Sequence, residues 1–427
     1  MPYLPHWPIP STIGGKQIDY ETVFERMGEV LAKLGNPHLK LPKVIHIAGT
    51  NGKGSTAAAI SKILSAHGQR VGLYTSPHIH QCNERIIINQ EQIDDTSLYE
   101  AMEETRIAAG NTPLTFMEGF TIGAFLAFSR SNLDFLVMEC GMGGRIDATN
   151  IIKDKALTII TPISFDHQEY LGDNIQRIAV EKAMIIRPNA PLICSAQSQE
   201  AKNIIKTLAG DQKIPAYYYD EDFTISKNKK NSFNFHFCNI DLPDLPVPSL
   251  NGQHQYINFA TALAALVVLN EKYDLDLDQN KIETAIQNVR WPGRLERFSN
   301  KNLHQKSELW FDGAHNVSGA FALASWIKDK KDFPEKFVIV GFSRDKCKKE
   351  FLAQFDGLGE IIAVRVEGEP FPEKVENIQK VANSANIKIT PKENLHQALS
   401  FISNNKSKSL VTICGSLHLA RDLKILD

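Results

Sequence analysis

The sequence lacks the features that mark a membrane-spanning or secreted protein. Its longest apolar run, Ala262–Leu269, is far shorter than the roughly 20 residues that cross a bilayer. The proline-rich N-terminus has no charged segment followed by an apolar stretch, which is the pattern of a signal peptide. The six cysteines are scattered without Cys-x-x-Cys spacing, so we expect reduced thiols. These absences predict a cytoplasmic protein with no membrane partner.

The sequence also has no large excess of positive or negative charge. The formal net charge is −2 and no basic tail or stripe is present, so nucleic acid is not an expected partner. A Gly-x-Gly-x-x-Gly pattern is absent, which removes support for a dinucleotide-binding function. The 43% hydrophobic content is ordinary for a globular protein, and 427 residues exceed what one core usually holds. At least two domains are therefore expected.

The most informative segment that is present is VIHIAGTNGKGST, Val44–Thr56. An apolar run rich in β-branched residues ends at Gly49, and two glycines then flank Lys53 before a helix-forming run from Ala57. Backbone N–H groups at a helix start, the helix dipole and a lysine together bind phosphate. Ser55 or Thr56 offers a hydroxyl near a phosphate-bound Mg²⁺.

The spacing of this segment departs from the usual P-loop. Only Thr50 and Asn51 separate Gly49 from Gly52, where the usual pattern has four residues before its Gly-Lys pair. A glycine-rich turn that merely needs positive φ is the alternative. The order of strand, turn, lysine, hydroxyls and helix favours a phosphate-binding loop.

Strand-like and helix-like segments alternate along the chain, which is typical of parallel sheets covered by helices. A breaker at Trp291–Arg294 divides the chain into predicted domains 1–293 and 294–427. In the first we expect an antiparallel excursion at Tyr217–Pro248, strands at Val71–Ser76, Leu133–Cys140, Ala156–Ile163 and Pro191–Ala196, and helices near Ala57–Ala66, Ser97–Ala109, Thr115–Ser129, Asn174–Ile186, Glu200–Leu208, Tyr256–Leu269 and Gln279–Val289. In the second we expect strands at Ser307–Phe311, Lys336–Phe342, Glu360–Val366 and Leu410–Cys414, and helices near Val317–Lys328, Lys348–Phe355, Pro372–Ala382, Leu395–Ser403 and Ala420–Ile425.

Polar residues stand at or near several predicted strand ends, where α/β sheets bind ligands. Ser76 and Glu139 close two strands, and His167 follows a third. A hydroxyl, a carboxylate and an imidazole there can ligate a divalent ion such as Mg²⁺. Taken singly, Glu139 also fits a helix cap or surface charge, His167 a structural pair with Asp166, and Lys182 on the next helix a solvated cation.

The second domain carries the segment WFDGAHN, in which an apolar strand ends in Asp312 and His315 precedes a helix. An N-cap with a buried histidine is one interpretation. Together with the phosphate loop of the other domain, a nucleotide bound between the two domains is the other.

These segments resemble one family. GTNGKGST, YTSPHIHQCNERI, ECGMGGRIDATN, FDHQEYLG, EKAMII, WPGRLE, DGAHN and CGSLHLA occur in the order seen in folylpolyglutamate synthases of the Mur-ligase superfamily, most like the bacterial form that is also dihydrofolate synthase. The resemblance implies an α/β fold, with a P-loop-containing parallel-sheet ATPase domain followed by a smaller Rossmann-like C-terminal domain. It implies that ATP drives addition of L-glutamate to dihydropteroate and to tetrahydrofolate through an acyl phosphate.

The resemblance also implies roles for individual residues. Lys53, Lys182 and His315 would be catalytic, and Lys182 would be carbamylated. Two Mg²⁺ ions would be held by Ser76, Glu139, His167 and the modified Lys182. ATP would contact Thr50, Asn51, Gly52, Lys53, Gly54, Ser55, Asn258, Arg294 and Asp312, and the pterin would contact Asp19, Tyr20, Thr115, Phe116, Met117, Glu118, Ile146, Asp147 and Ala148.

Two positions depart from the family pattern. Met184 stands where glycine is usual and adds bulk beside Lys182, and Cys347 replaces an acidic residue.

The family resemblance also implies a monomer. The alternatives are a small-molecule kinase and another Mur-type amino-acid ligase, although the phosphate loop begins too early for the additional N-terminal domain of cell-wall ligases. A regulatory GTPase would need an Asn-Lys-x-Asp guanine-binding motif, which the sequence lacks in a suitable place.

Overall fold

The computed structural model describes residues 22–228, 231–299, 303–344, 346–404 and 407–426. The chain forms two compact units, one made of residues up to Ser249 with Tyr256–Val289, and the other of Leu250–Gln255 with the chain from Arg290. The division predicted after residue 293 stays a prediction. Among the described helices, none has the length and apolar character of a membrane span.

An eight-stranded sheet forms the centre of the first unit. Its order is β4-β3-β2-β5-β1-β6-β7-β8, and the six strands from β2 to β8 in that order run parallel. The strands are β1 Lys43–Ala48, β2 Val71–Tyr74, β3 Ile86–Ile88, β4 Glu91–Gln92, β5 Phe135–Glu139, β6 Leu157–Ile160, β7 Leu192–Cys194 and β8 Ala216–Tyr218. Consecutive residues of β1 are buried, so helices cover both faces of the sheet.

Nine helices accompany this sheet in the described part of the first unit. They are α1 Val23–Lys33, α2 Lys53–Ala66, α3 Asp95–Ala109, α4 Phe116–Arg130, α5 Gln168–Leu171, α6 Ile175–Ala183, α7 Gln199–Asp211, α8 Gln253–Tyr273 and α9 Gln279–Asn288. One core packs α1, α3 and α4 on the sheet through residues such as Met27, Met102 and Phe125. Another packs α6 and α7 through Ile178 and Ile205. The predicted antiparallel excursion is confirmed as β9 Phe223–Lys227, β10 Ser232–Phe237 and β11 Ile240–Pro246.

The second unit is a smaller six-stranded sheet with helices. Its order is β12-β13-β17-β14-β15-β16, parallel except for β12. The strands are β12 Glu296–Phe298, β13 Glu308–Phe311, β14 Glu335–Val340, β15 Glu360–Ala363, β16 Ile389–Pro391 and β17 Ser409–Cys414. The helices are α10 Val317–Asp329, α11 Lys349–Ala353, α12 Val375–Ser384, α13 Leu395–Ser403 and α14 Leu419–Leu426. The predicted fold class is confirmed for both units.

The predicted elements differ from the observed ones mainly at their ends. Helix α2 begins at Lys53 and not at Ala57, so the lysine belongs to the helix and not to the preceding turn. Sequence patterns missed α1, β3, β4, α5, β12 and β16, and Ala216–Tyr218 joins the main sheet instead of the antiparallel excursion.

Two isoleucines on neighbouring helices allow a matched test of the core. Ile122 on α4 is 0% exposed, whereas Ile107 on α3 is 64% exposed. Because Ile122→Ala removes apolar contacts and leaves a cavity, we expect it to lower the free energy of unfolding by about 2–5 kcal/mol. Ile107→Ala should change it by less than about 1 kcal/mol. Urea denaturation followed by circular dichroism measures both, and equal losses would contradict this packing.

Candidate active site

The site lies where the carboxyl ends of four neighbouring parallel strands meet. The register pairs Ile47 of β1 with Glu139 of β5, and Tyr74 of β2 with Met138 of β5. The segments that follow β1, β2, β5 and β6 therefore emerge at one edge of the sheet, as α/β sheets require for a ligand site.

The loop between β1 and α2 needs its glycines. Gly52 caps α2 in a left-handed conformation with φ 86°, and a side chain there would collide with Asn258 Oδ1. Gly49 has φ 146°, and a Cβ on it would collide with the Thr161 hydroxyl. The need for positive φ is thus real, but it accompanies a helix start whose first-turn amides have no carbonyl partner within the helix. An anion is the natural ligand of those amides.

Lys53 folds back over this loop. Its Nζ donates to the carbonyl oxygens of Gly49 at 3.2 Å and Thr50 at 3.1 Å. The same Nζ lies 3.9 Å from Glu139 Oε1. The ammonium group is thereby held at the start of α2, on the side where the strand-end carboxylate lies.

Thr50 and Asn51 anchor the loop to the segment that follows β6. Their backbone amides donate to the Pro162 carbonyl at 3.0 and 3.2 Å. The Thr50 hydroxyl donates to the Ser164 carbonyl at 3.0 Å, and Asn51 Nδ2 donates to the Ser164 hydroxyl at 3.3 Å. These bonds fix the loop, and direct contacts of both residues with a nucleotide remain a prediction.

Two of the predicted metal ligands lie together. The Ser76 amide donates to Glu139 Oε2 at 3.4 Å, and Glu139 is buried, so it is neither a surface charge nor a helix cap. His167 precedes α5 with φ 47°, and its Nε2 lies 3.8 Å from Asp166 Oδ1. Within the described ranges, no three His, Cys, Asp or Glu side chains cluster as a metal site would.

Lys182 on α6 is not a solvated cation. It is only 3% exposed, and its Nζ donates to the Gly49 carbonyl at 2.8 Å, the same oxygen that accepts from Lys53. Burial, reinforced by the positive charge of Lys53, lowers the pKa of Lys182 to about 7. Met184 is the C-cap residue of α6 and is 38% exposed, and its effect on Lys182 stays a prediction.

The predicted pterin residues reach the same place from two other segments. A Cβ placed on Gly141 would lie 3.4 Å from both Met117 Cε and Ser76 Oγ, and 3.5 Å from Asp147 Oδ2. The loop that follows β5 is held against α6, because a Cβ on Gly144 would stand 2.6 Å from the Glu181 carbonyl oxygen. Ile146 is half-buried, and Ala148 is buried at the start of a short 3-10 helix.

Other predicted pterin residues have structural partners. Thr115 and Glu118 form a capping box at the start of α4, and the Glu118 carboxylate binds the Arg26 guanidinium at 2.8 Å. Phe116 is 42% exposed. Asp19 and Tyr20 lie outside the described residues.

Arg85 is a site residue that the sequence analysis missed. It is buried, its guanidinium carbon lies 5.4 Å from the Phe116 ring centre, and it donates to Met117 Sδ at 3.3 Å. Its Nε donates to His78 Nδ1 at 2.9 Å, and burial lowers the pKa of the guanidinium. Its position inside the motif NERI was the available signal.

In the second unit, the predicted nucleotide residues lie near one another. The Asp312 carboxylate accepts from the Leu295 and Ala314 amides, both at 2.9 Å. Arg294 Nη1 lies against Gly313 and donates to the Gly293 carbonyl at 3.1 Å. His315 is exposed and Asn316 caps α10, so the interpretation of a buried histidine is wrong.

Comparison with known protein families assigns both parts of the chain. Residues 47–266 match the Mur ligase middle domain, and residues 295–426 match the dihydrofolate synthetase C-terminal domain.

Individual relatives agree with this assignment over nearly the whole chain. A dihydrofolate synthase/folylpolyglutamate synthase of Bacillus subtilis is 31% identical over 413 residues, 93% of each chain. E. coli FolC, solved with DHPP and ADP, is 27% identical with a TM-score of 0.84, covering 100% of this chain and 95% of that one. A bifunctional folylpolyglutamate synthase/dihydrofolate synthase with Mn, AMPPNP and L-glutamate bound is 27% identical with a TM-score of 0.83, covering 96% and 95%. With the phosphate loop, the strand-end carboxylate and both domains in place, the chain belongs to the dihydrofolate synthase/folylpolyglutamate synthase family of ATP-dependent ligases.

Proposed function

We propose that this chain joins L-glutamate to dihydropteroate, forming dihydrofolate, and to the γ-carboxylate of tetrahydrofolates. A carboxylate and an amine do not condense spontaneously in water, so the carboxylate must first be activated. The γ-phosphoryl group of ATP passes to a carboxylate oxygen, which releases ADP and forms an acyl phosphate. The α-amine of L-glutamate then attacks the acyl carbon and loses a proton, and inorganic phosphate leaves as the amide forms.

The observation that carries this proposal is the phosphate loop beside a buried carboxylate. The amides at the start of α2 and the Lys53 ammonium would bind the β- and γ-phosphates and stabilise charge as the phosphoryl group transfers. Met117 and Asp147 meet Ser76 around Gly141, which supports a pterin site beside the phosphates.

The ligands of the relatives support the same substrates. E. coli FolC was solved with ADP and DHPP, and the bifunctional relative with Mn, AMPPNP and L-glutamate. We infer that ATP, a divalent cation and L-glutamate bind this chain as well. A cytoplasmic location and a monomeric state stay predictions.

The residues near the loop fit Mg²⁺. Magnesium uses one or two protein oxygen ligands and completes its shell with phosphates and water. The Glu139 carboxylate and the Ser76 hydroxyl supply such oxygens beside Lys53, and His167 is proposed as a further ligand. Bound Mg²⁺ would neutralise part of the phosphate charge. Lys53 would act on the same charge from the side of α2.

Lys182 is proposed to be carbamylated. The reaction needs a neutral amine, and burial supplies one near neutral pH because the pKa of Lys182 is about 7. The ammonium first loses one proton to give the neutral amine. Carbon dioxide then adds to the amine nitrogen and a second proton leaves, so a buried cation becomes an anion. That anion would suit a second Mg²⁺ beside the phosphate loop.

Arg294 and Asp312 are proposed to bind the nucleotide, and His315 is proposed to act in catalysis. Desolvation lowers the pKa of the half-buried His254, the Asp312 carboxylate opposes this shift, and the Arg294 guanidinium adds to it. Two opposite charges fixed in one part of the unit are consistent with a polar ligand site.

Phosphate release tests the function directly. With ATP, Mg²⁺ and dihydropteroate, we expect phosphate release that depends on L-glutamate, because the acyl phosphate is consumed only by the amine. Tetrahydrofolate in place of dihydropteroate should also support release. Phosphorylation of a small molecule without any need for glutamate would favour the kinase alternative. The absence of glutamate-dependent phosphate release with both pterins would refute the proposal.

Replacing Lys53 tests the phosphate site. Lys53→Ala should lower kcat about a hundredfold to a thousandfold, because a charge aimed at the transferring phosphoryl group is lost. Lys62→Ala, nine residues later on the same helix, is the matched control and should retain activity. The thermal unfolding midpoint checks that both variants fold. Substantial turnover by Lys53→Ala would contradict the assignment of Lys53 to the phosphate site.

Carbamylation of Lys182 should depend on pH. With a pKa of about 7, the amine is about nine-tenths neutral at pH 8 and about one-tenth neutral at pH 6, so the modification should rise with pH. In ¹³C-bicarbonate, NMR should show a carbamate carbonyl signal that is stronger at pH 8. Lys182→Met should remove it, although Lys155, a second buried lysine, remains. A signal that survives in Lys182→Met would contradict the assignment.

A further inference from the structure

A chain of buried polar groups lies behind the loop that follows β5. His46 on β1 is 0% exposed, and its Nε2 lies 2.7 Å from the Thr149 hydroxyl. Thr149 in turn donates to Asp147 Oδ1. Cys140 Sγ lies 3.1 Å from the same His46 nitrogen. The central strand of the sheet is thereby linked to the loop that bears the proposed pterin residues.

The Asp147 carboxylate, which ends this series of hydrogen bonds, accepts hydrogen bonds at all of its acceptor positions from groups of the protein. Oδ2 accepts from the amides of Gly141 at 2.9 Å and Met142 at 3.0 Å. Oδ1 accepts from the Thr149 amide at 3.0 Å and from the Thr149 hydroxyl. A carboxylate has about four acceptor positions, so all of them are used. Asp147 therefore clamps the two ends of its own loop together.

The hydrogen positions follow from this arrangement. Thr149 has one hydroxyl proton, and it goes to the carboxylate because that bond is charge-assisted. The Thr149 oxygen must then accept from His46 Nε2–H. This leaves His46 Nδ1 without a proton, and Nδ1 is a buried atom for which the described residues offer no hydrogen-bond partner. Burial, with the positive charges of Lys155 and Arg187, lowers the pKa of His46, so the ring is neutral.

We propose that His46 is a positioning residue for the pterin site, acting through Thr149 on the loop that Asp147 clamps. The inference rests on the proposed function, in which Ile146, Asp147 and Ala148 lie beside the pterin. His46 touches no reacting atom. It fixes the rotamer of Thr149, and Thr149 supplies two of the four donors that hold the Asp147 carboxylate.

Loss of the His46–Thr149 bond should weaken binding of the pterin substrate and not binding of ATP. The phosphate loop is anchored by other bonds, from Thr50 to Pro162 and Ser164, and these do not pass through His46. Removing the His46–Thr149 bond should therefore loosen the pterin side of the site and leave the phosphate side in place.

Four variants and one control test this assignment. His46→Leu and Thr149→Val remove the bond, whereas His46→Gln and Thr149→Ser keep a donor or a hydroxyl. Thr158→Val is the matched control, because Thr158 is a buried threonine of the same sheet whose hydroxyl donates elsewhere, to the Pro191 carbonyl at 3.0 Å. For each protein we would measure the KM for dihydropteroate and for ATP, kcat, and the thermal unfolding midpoint.

We expect His46→Leu and Thr149→Val to raise the KM for dihydropteroate about tenfold, with the KM for ATP changed by less than about twofold. Thr149→Ser and His46→Gln should recover most of that loss. The double variant His46→Leu/Thr149→Val should be no worse than Thr149→Val alone, since that single variant already removes the His46–Thr149 bond together with the hydroxyl bond to Asp147.

Two results would overturn the assignment. One is Thr149→Val and His46→Leu behaving like Thr158→Val, and the other is an equal rise in both KM values, which would mean a purely structural role. These differ from failure of the proposed function, in which the wild-type protein itself would release no glutamate-dependent phosphate.

Discussion

Two lysine side chains share one carbonyl oxygen, and this arrangement governs the site. Lys53 and Lys182 approach from different helices and both donate to Gly49 at the end of β1. Their mutual repulsion is part of why the pKa of Lys182 falls to about 7. The Glu139 carboxylate lies 3.9 Å from the Lys53 ammonium. An arriving phosphate, or conversion of Lys182 to an anion, would relieve this concentration of positive charge.

That arrangement depends on close backbone approaches. The Gly49 carbonyl is accessible to both lysines only because its loop adopts φ values that glycine favours and packs directly on Thr161. Lys182 reaches the same oxygen because α6 lies against Gly144, where no side chain intervenes. The glycines of the two loops thus determine where the charges sit, although they carry no chemistry themselves.

Much of the fold could be predicted because local patterns and long-range packing agree. The β-branched run before Gly49 and the apolar strands near Leu136 and Ile159 are buried on both faces, so each is a short continuous apolar run whose length and β-branched content indicate a strand. The ends of elements were harder: glycine and serine at the start of α2 resemble a turn, and the helix there is stabilised by its contacts with the sheet. Strand β16 has three residues and exists through its pairing with β15, which no local pattern reveals.

In the candidate site, too, some residues could be predicted from the sequence and others could not. Ser76 and Glu139 stand at or just beyond the ends of β2 and β5, and Lys53 begins the helix that follows β1, so the parallel topology brings all three to one edge of the sheet. The burial of Lys182 could not be predicted, because an isolated lysine on a polar helix normally faces solvent and only the docking of α6 on the loop excludes water. Arg85 and His46 were missed for a related reason: a polar residue inside an apolar strand or motif shows its purpose only when its partners, Met117 and Thr149, are known.

The distribution of hydrogen bonds separates residues that hold the site from those that can act. Asp147 binds backbone amides of its own loop, Thr50 binds the segment after β6, and Glu118 binds Arg26. Lys53 lies instead at the start of α2, 3.9 Å from the Glu139 carboxylate. An acyl phosphate forms only if a carboxylate oxygen and the γ-phosphorus meet within about 3–3.5 Å, and a displacement of about 1 Å is costly. Buried, saturated bonds suit that demand better than exposed ones, since breaking any of them leaves an unsatisfied polar group. The rigidity of the loops around Gly49 and Gly141 is therefore as much a part of the chemistry as the charges they position.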